Sequence, residues 1–277
     1  YNSLSRLNMC VYTPFAYILP TKIAKYEDLY DTKVKGGAST LKQADRESSL
    51  QMLMRINLLK RLESSVDSFR ITIGKILDII NTTIKSIDNF DKNSGELELT
   101  NIDVSSYDDE DIEDAIDDGF QIGNKVKINL EDMNTIGWRE DLQRDKEILD
   151  DLLKEFERIT PNHDLKLTEL VNTLRNKIEN PINGDNKKII IFSAFADTAN
   201  YIYENVSVVI NMEYGLNTAL VTGAGSNKCT LNINKDFNNL LINFSPKSKH
   251  RDMLLGDTQK DDIDILIATD CISEGQN

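Results

Sequence analysis

The stretch IDILIATDCISEGQN, residues 263–277, decides the fold that the sequence predicts. An apolar run with acidic residues before it and Thr-Asp after it is typical of a buried strand in a parallel sheet. Such a strand needs helices on both faces of its sheet, and the sequence shows none after it. We therefore expect the chain to be part of a longer polypeptide. Unless other elements shield this strand, it would present an exposed edge.

The segments before this strand alternate between strand and helix patterns. They are KKIIIFSAF (187–195), DTANYIYENV (197–206, a helix with Asp197 as its N-cap), TALVTG (218–223) and FNNLLINFSP (237–246). Short connections between such segments predict a doubly wound α/β domain with a parallel sheet over residues 181–277. Ligands of such sheets bind beyond the carboxyl ends of the strands, which here are polar, small or glycine-bearing. Small residues at these ends also suit tight turns.

Residues 1–180 predict a mainly helical region. Apolar residues recur every three or four positions from Leu50 to Ile87, so we expect one long amphipathic helix or two nearly collinear ones. A second helix is predicted from about Arg139 to Ile159. A third, capped by Asp164 or Thr168, would end at Asn180.

The charge of the chain is concentrated in one tract. The net charge is −14, and DVSSYDDEDIEDAIDD (103–118) carries nine acids and no base. Such a tract, within a loop at about 101–120, is typical of a solvated disordered segment, and the alternative is a surface for a protein partner. Outside this tract the chain has 37 acidic and 32 basic residues, so the sequence shows no strong basic surface for nucleic acid.

Composition also restricts the class of protein. No stretch of about 18 apolar residues predicts a membrane span, and the amino-terminal residues lack the pattern of a secretory signal. The three cysteines, Cys10, Cys229 and Cys271, are far apart and accompanied by only two histidines. We therefore expect no metal site, no disulfide framework and no membrane partner, and a cytoplasmic location.

Four segments together resemble the second RecA-like lobe of superfamily-two helicases, in particular the Swi/Snf-type, RapA-like DNA translocases of bacteria. They are IIIFSAF (189–195), TALVTG (218–223), FSPKSKHR (244–251) and IDILIATDCISEGQN (263–277). Upstream, residues 52–77 are similar to the helical segment between the two lobes of such proteins. Residues 8–19 resemble the chain as it leaves the first lobe. The resemblance implies a partial RecA-like sheet that ends after motif V.

The resemblance also implies roles for individual residues. Nucleic-acid backbone contacts would come from Ser193 and Phe195 in motif IV, Gly223 in the next strand-end loop, and Thr269 in motif V. The ATP site between the lobes would include Asp270, Glu274, Gly275, Gln276 and Asn277. Asp270 is equally suited to cap a following helix. The basic cluster Lys247, Lys249, His250 and Arg251 is typical of a solvated loop, with nucleic-acid contact as the alternative.

By this resemblance the parent protein is an ATP-dependent DNA helicase or translocase. Its partners would be double-stranded DNA and a first RecA-like lobe in the same chain, and it would use ATP and Mg²⁺. The present sequence lacks a G-x-x-x-x-G-K-[ST] phosphate loop and an arginine-bearing motif VI, and TGAGSNK (222–228) imitates the loop only in part. We therefore expect this chain alone to bind no cofactor and to be inactive.

Two other functions remain open from the sequence. One is a non-catalytic protein-interaction module on a degenerate RecA-like lobe, which would bind through the acidic loop or a helix face. Eight bases against twelve acids from Pro181 onward favour it. The other is a small-molecule hydrolase or transferase, but no G-x-S-x-G elbow or metal cluster supports that reading.

Overall fold

The computed structural model describes residues 3–33, 40–90, 96–99, 126–223, 227–255 and 261–269. The chain forms two compact units: Tyr1–Glu63 with Phe69–Arg158, and Ser64–Ser68 with Ile159–Asn277. The described residues form a mixed α/β structure, which confirms the predicted α/β class. Among the described helices, none has the length and apolar character that crossing a membrane requires.

The first unit is mainly helical. Its helices are α1 (Ile23–Tyr30), α2 (Gln43–Ser64), α3 (Val66–Asp88) and α4 (Thr135–Glu157), with residues 64–68 at the junction of α2 and α3 assigned to the second unit. Its strands form two antiparallel ribbons, β1 (Thr32–Lys33) with β2 (Thr40–Leu41) and β3 (Glu96–Leu99) with β4 (Val126–Asn129). Short 3-10 segments occur at Leu4–Arg6, Cys10–Tyr12, Pro14–Tyr17 and Leu130–Asp132.

The core of this unit joins the amino-terminal segment to α3 and α4. Trp138 on α4 is fully buried, and its indole N–H donates a hydrogen bond to the Cys10 carbonyl at 3.2 Å. Helix α3 contributes Phe69, Ile73 and Ile76, which recur at helical spacing and are fully buried. The predicted apolar face is therefore right along α3.

The same prediction is wrong along α2. Ile56 and Leu59 belong to the predicted stripe but are 41% and 36% exposed, whereas Met54 and Leu58 are buried. The physical reason is a break at Ser65, whose hydroxyl oxygen accepts a hydrogen bond from the Ser68 backbone N–H at 3.0 Å. That bond caps α3 as a new helix, so the apolar face of α2 does not continue in phase into α3.

The second unit contains a four-stranded mixed sheet. Its elements are a 3-10 turn (Pro161–His163), α5 (Leu165–Glu179), β5 (Ile189–Phe192), α6 (Ala196–Tyr214), β6 (Thr218–Val221), β7 (Lys228–Cys229), α7 (Phe237–Phe244), α8 (Arg251–Leu255) and β8 (Ile265–Ala268). The strand order is β5-β8-β6-β7, and β5, β8 and β6 run parallel. The short β7 pairs antiparallel with β6, so the sheet is mixed, and the sequence pattern missed this strand.

Helices pack on both faces of the two inner strands of this sheet, β8 and β6. Leu220, Ile265 and Ile267 pack with residues of α5 and α6, whereas Ala219, Val221 and Leu266 pack with residues of α7. Strand β8 lies between β5 and β6, and all four of its residues are buried. The sequence allowed an exposed edge at β8 unless other elements shield the strand, and β5 and β6 do shield it by pairing with both of its sides.

Helix α5 packs with the sheet. Leu167, Leu174 and Ile178 join the core that contains the sheet residues, although the sequence pattern grouped this helix with residues 1–180. The Asp164 carboxylate caps the helix by accepting hydrogen bonds from the backbone N–H groups of Lys166 and Leu167, both at 3.0 Å. Of the two caps that the sequence left open, Asp164 and Thr168, the structure has Asp164.

Candidate nucleic-acid interface

The carboxyl ends of β5, β8 and β6 meet at one edge of the sheet, which we call the carboxyl edge. Here the Ser193 N–H donates to the Ala268 carbonyl at 2.9 Å, and the Thr269 N–H donates to the Val221 carbonyl at 3.2 Å. The Gly223 N–H lies 3.4 Å from the Thr269 hydroxyl oxygen. Ser193, Gly223 and Thr269 are far apart in sequence, and the parallel strand order brings them to one edge of the sheet.

Ser193 and Phe195 shape the turn between β5 and α6. The Ser193 hydroxyl donates to the Phe195 carbonyl at 3.1 Å and accepts from the Phe195 N–H at 3.2 Å. Both residues are buried, at 9% and 4% exposure. These contacts fix the turn locally, as serine hydroxyls do in short turns. That either side chain contacts a nucleic-acid backbone stays a prediction.

Helix α6 begins immediately after this turn. Phe195 is its N-cap and its side chain makes no capping hydrogen bond, while Asp197 lies in the first turn. The predicted Asp197 cap is therefore wrong, because the Ser193 turn starts the helix earlier. Backbone N–H groups at a helix start carry partial positive charge, so this end of α6 brings donors to the carboxyl edge.

A cluster of hydroxyl groups supports the first turn of α6. Thr198 is buried, and its hydroxyl oxygen lies 2.8 Å from that of Ser64 and 2.9 Å from that of Ser65. The Lys166 ammonium group donates to the Ser64 carbonyl at 2.9 Å. These contacts were not predicted from the sequence. The only local signal was the Ser-Ser pair that interrupts the apolar period.

Thr222 is a second polar residue that sequence reasoning passed over. It follows β6 and is 4% exposed, and its hydroxyl has no hydrogen-bond partner among the described residues. Its backbone N–H donates to the Asn227 side-chain oxygen at 3.3 Å. A buried hydroxyl without a partner costs about 1–3 kcal/mol, so its position one residue before Gly223 marks this strand end as a candidate site.

The basic cluster lies at the opposite edge of the sheet. Arg251 forms an ion pair with Asp262 at 2.8 Å and also donates to the Asp261 carbonyl at 3.3 Å. Both aspartates precede β8, so they mark its amino end. Lys247 and Lys249 therefore lie in a loop at the amino edge, away from Ser193, Gly223 and Thr269.

The predicted residues of the ATP site lie outside the described residues. They are Asp270, Glu274, Gly275, Gln276 and Asn277, and the acidic tract at 103–118 also lies outside. Thr269 is thus the last motif V residue whose position is described. Across the described ranges, no group of three or more His, Cys, Asp and Glu side chains is arranged to hold a metal ion.

Comparisons of the chain with protein-family models, curated proteins and solved structures found no match. The geometry of the carboxyl edge is therefore the basis on which a function is inferred for this chain.

Proposed function

We propose that this chain is the second-lobe region of an ATP-dependent DNA translocase and that its carboxyl edge binds the sugar-phosphate backbone of nucleic acid. The proposal includes the finer fold assignment, a partial RecA-like lobe. The observation that carries it is the convergence of the three parallel strand ends, with the Gly223 N–H 3.4 Å from the Thr269 hydroxyl oxygen. Ligands of doubly wound sheets bind at such an edge.

The chemistry of this edge suits phosphate oxygens. Thr269 has a hydroxyl proton to donate, Gly223 has no side chain to obstruct an approaching phosphate, and the first turn of α6 adds backbone donors. Contacts of this kind position a nucleic-acid strand without reading its sequence, as a translocase requires. Because these donors are uncharged hydroxyl and N–H groups, we expect the affinity for nucleic acid to fall less steeply with salt concentration than it would with lysine contacts.

Nucleotide hydrolysis is not assigned to the described residues. They do not form a complete nucleotide site, because the sequence contains no lysine-bearing phosphate loop and residues 270–277 lie outside the described part of the chain. Phosphoryl transfer depends on positioned cationic groups. ATP and Mg²⁺ therefore belong to the proposal for the parent protein, with the first lobe supplied in the same polypeptide.

The experiment is a fluorescence-anisotropy titration of labelled DNA with the chain at low salt. Thr269→Ala removes one hydroxyl donor to a charged oxygen, so we expect affinity to fall by about 10- to 100-fold. Thr269→Ser keeps the hydroxyl and should retain affinity. Thr173→Ala, an exposed hydroxyl on α5, is the matched control. Equal affinity for wild type and Thr269→Ala would refute the proposed contact.

The alternative candidate is a protein-interaction module. Two observations favour it: twelve acids against eight bases from Pro181 onward, and the location of the basic cluster at the amino edge. Both reduce the electrostatic attraction of DNA to the carboxyl edge. The same titration separates the two functions, because an interaction module of this kind would bind neither single-stranded nor duplex DNA at low salt.

A further inference from the structure

Phe192 is an exposed aromatic side chain next to the carboxyl edge. It is the last residue of β5, and 54% of its surface is exposed. The other described phenylalanines are buried or pack against a core: Phe15, Phe69, Phe90, Phe156, Phe195, Phe237 and Phe244. Ser193, where the carboxyl edge begins, is the next residue, about 3.3 Å further along the strand.

The surface around Phe192 is exposed on one face of the sheet and along the outer edge of β5. In register, Ile190 aligns with Leu266 and Phe192 with Ala268, so both β5 side chains lie on the face where α7 packs. Ile190 is nevertheless 46% exposed. Among the described strands β5 pairs only with β8, so its outer side is an unpaired strand edge.

We propose that Phe192 stacks on a base of the nucleic-acid strand whose phosphates bind the carboxyl edge, an inference that rests on the proposed function. An aromatic ring stacks on any base, so this contact adds affinity without sequence preference, as the backbone contacts do. A base is available for stacking only when it is unstacked from its neighbours. The ligand class is therefore a single strand or an unpaired segment, bound in preference to intact duplex, which departs from the double-stranded DNA that the family resemblance implies.

Position favours a base over a protein partner at this surface. The ring is one residue from Ser193 and lies beside Ala268, after which Thr269 follows directly. A strand held by phosphate contacts at Gly223 and Thr269 would thus bring its bases to the same end of the sheet. Protein docking on Ile190 and Phe192 is the competing outcome of the test, and it predicts no dependence on the bases.

The test uses labelled strands of roughly 12 nucleotides, the size that single-strand sites accommodate. One strand carries normal bases, a second has the same backbone with abasic sites, and a third ligand is a blunt duplex. Phe192→Leu removes the aromatic face and keeps an apolar side chain. Phe192→Tyr keeps the ring. Met212→Leu, at an 82% exposed position on α6, is the matched control.

We expect Phe192→Leu to weaken binding of the normal strand by about 5- to 100-fold and binding of the abasic strand less than about twofold. Phe192→Tyr and the control should bind like wild type, and wild type should prefer the normal strand to the duplex. In Phe192→Leu the slope of log affinity against log salt concentration should not change, because the substitution removes no charge. As a second readout, Phe192→Trp should show fluorescence quenching with the normal strand only.

The outcomes separate the two proposals. Wild-type binding with no loss in Phe192→Leu, or with equal losses on the normal and abasic strands, would overturn stacking and leave the backbone site standing. Absence of binding to every ligand at low salt would overturn both.

Discussion

Glu47 places a carboxyl group inside the first unit, where it is 6% exposed. Its two oxygens accept hydrogen bonds from the Phe15 N–H at 2.8 Å and from the Gln43 side-chain amide at 3.2 Å. Burial raises the pKa of Glu47 to about 7, although these two donors and the charge of Arg46 lower it in part. The pKa rises because the charged form is poorly solvated in the interior.

This pKa makes the stability of the first unit depend on pH. A glutamate in the unfolded chain titrates near 4.5, so the folded protein holds the Glu47 proton more tightly. The resulting stabilisation is fully present below pH 4.5 and is lost as the pH rises through about 7. The difference between the two pKa values corresponds to about 3 kcal/mol in the free energy of unfolding.

Glu47→Gln removes the titration and keeps an oxygen that accepts from the Phe15 N–H. We expect the variant to be more stable than wild type by about 3 kcal/mol at pH 8 and to differ little from it near pH 4.5. Urea unfolding followed by tryptophan fluorescence measures this, because Trp138 is the single tryptophan and is fully buried in the same unit.

Glu140→Gln, at an exposed position on α4, is the control and should leave the pH dependence of unfolding as in wild type. A stability difference between wild type and Glu47→Gln that is the same at pH 4.5 and pH 8 would refute the reasoning.

Two further predictions concern acid stability and a buried hydroxyl. Hydrogen bonds from Lys25 and Tyr26 lower the pKa of Asp132 to about 2, so the stabilisation it gives above pH 3.8 should be lost as the pH falls through 2. Asp132→Asn should remove this loss of stability at low pH in the same urea assay. An equal loss of stability in wild type and variant would contradict this prediction. The Thr218 hydroxyl is buried without a partner among the described residues, so Thr218→Val should raise stability by about 1 kcal/mol. Thermal unfolding followed by circular dichroism tests this, and a lower midpoint would count against it.

Local patterns predicted much of the second unit. The apolar runs at 189–192 and 265–268 are strands, the Asp164 cap is present, and a helix follows β5 as expected. These features depend on residues close together in sequence. Strand order does not, because β8 lies between β5 and β6 only through packing of the whole sheet, and a single sequence carries no direct signal of that.

Predictions for individual side chains were less complete for the same reason. The motif resemblance pointed to Phe195, whereas Phe195 is buried and Phe192 is exposed. Exposure of Phe192 follows from β5 being the outer strand, which the pattern does not encode. The hydroxyl contacts of Thr198 with Ser64 and Ser65 join residues more than 130 positions apart, so no local period reveals them.

The most direct test of the carboxyl edge as a binding surface is amide hydrogen exchange of the chain with and without a single-stranded DNA ligand. We predict slower exchange on binding in three segments together: residues 193–198, Thr222 with Gly223, and Thr269. The loop at 247–251, at the opposite edge, should exchange unchanged. Protection of that loop without protection of the three strand ends would contradict the central claim.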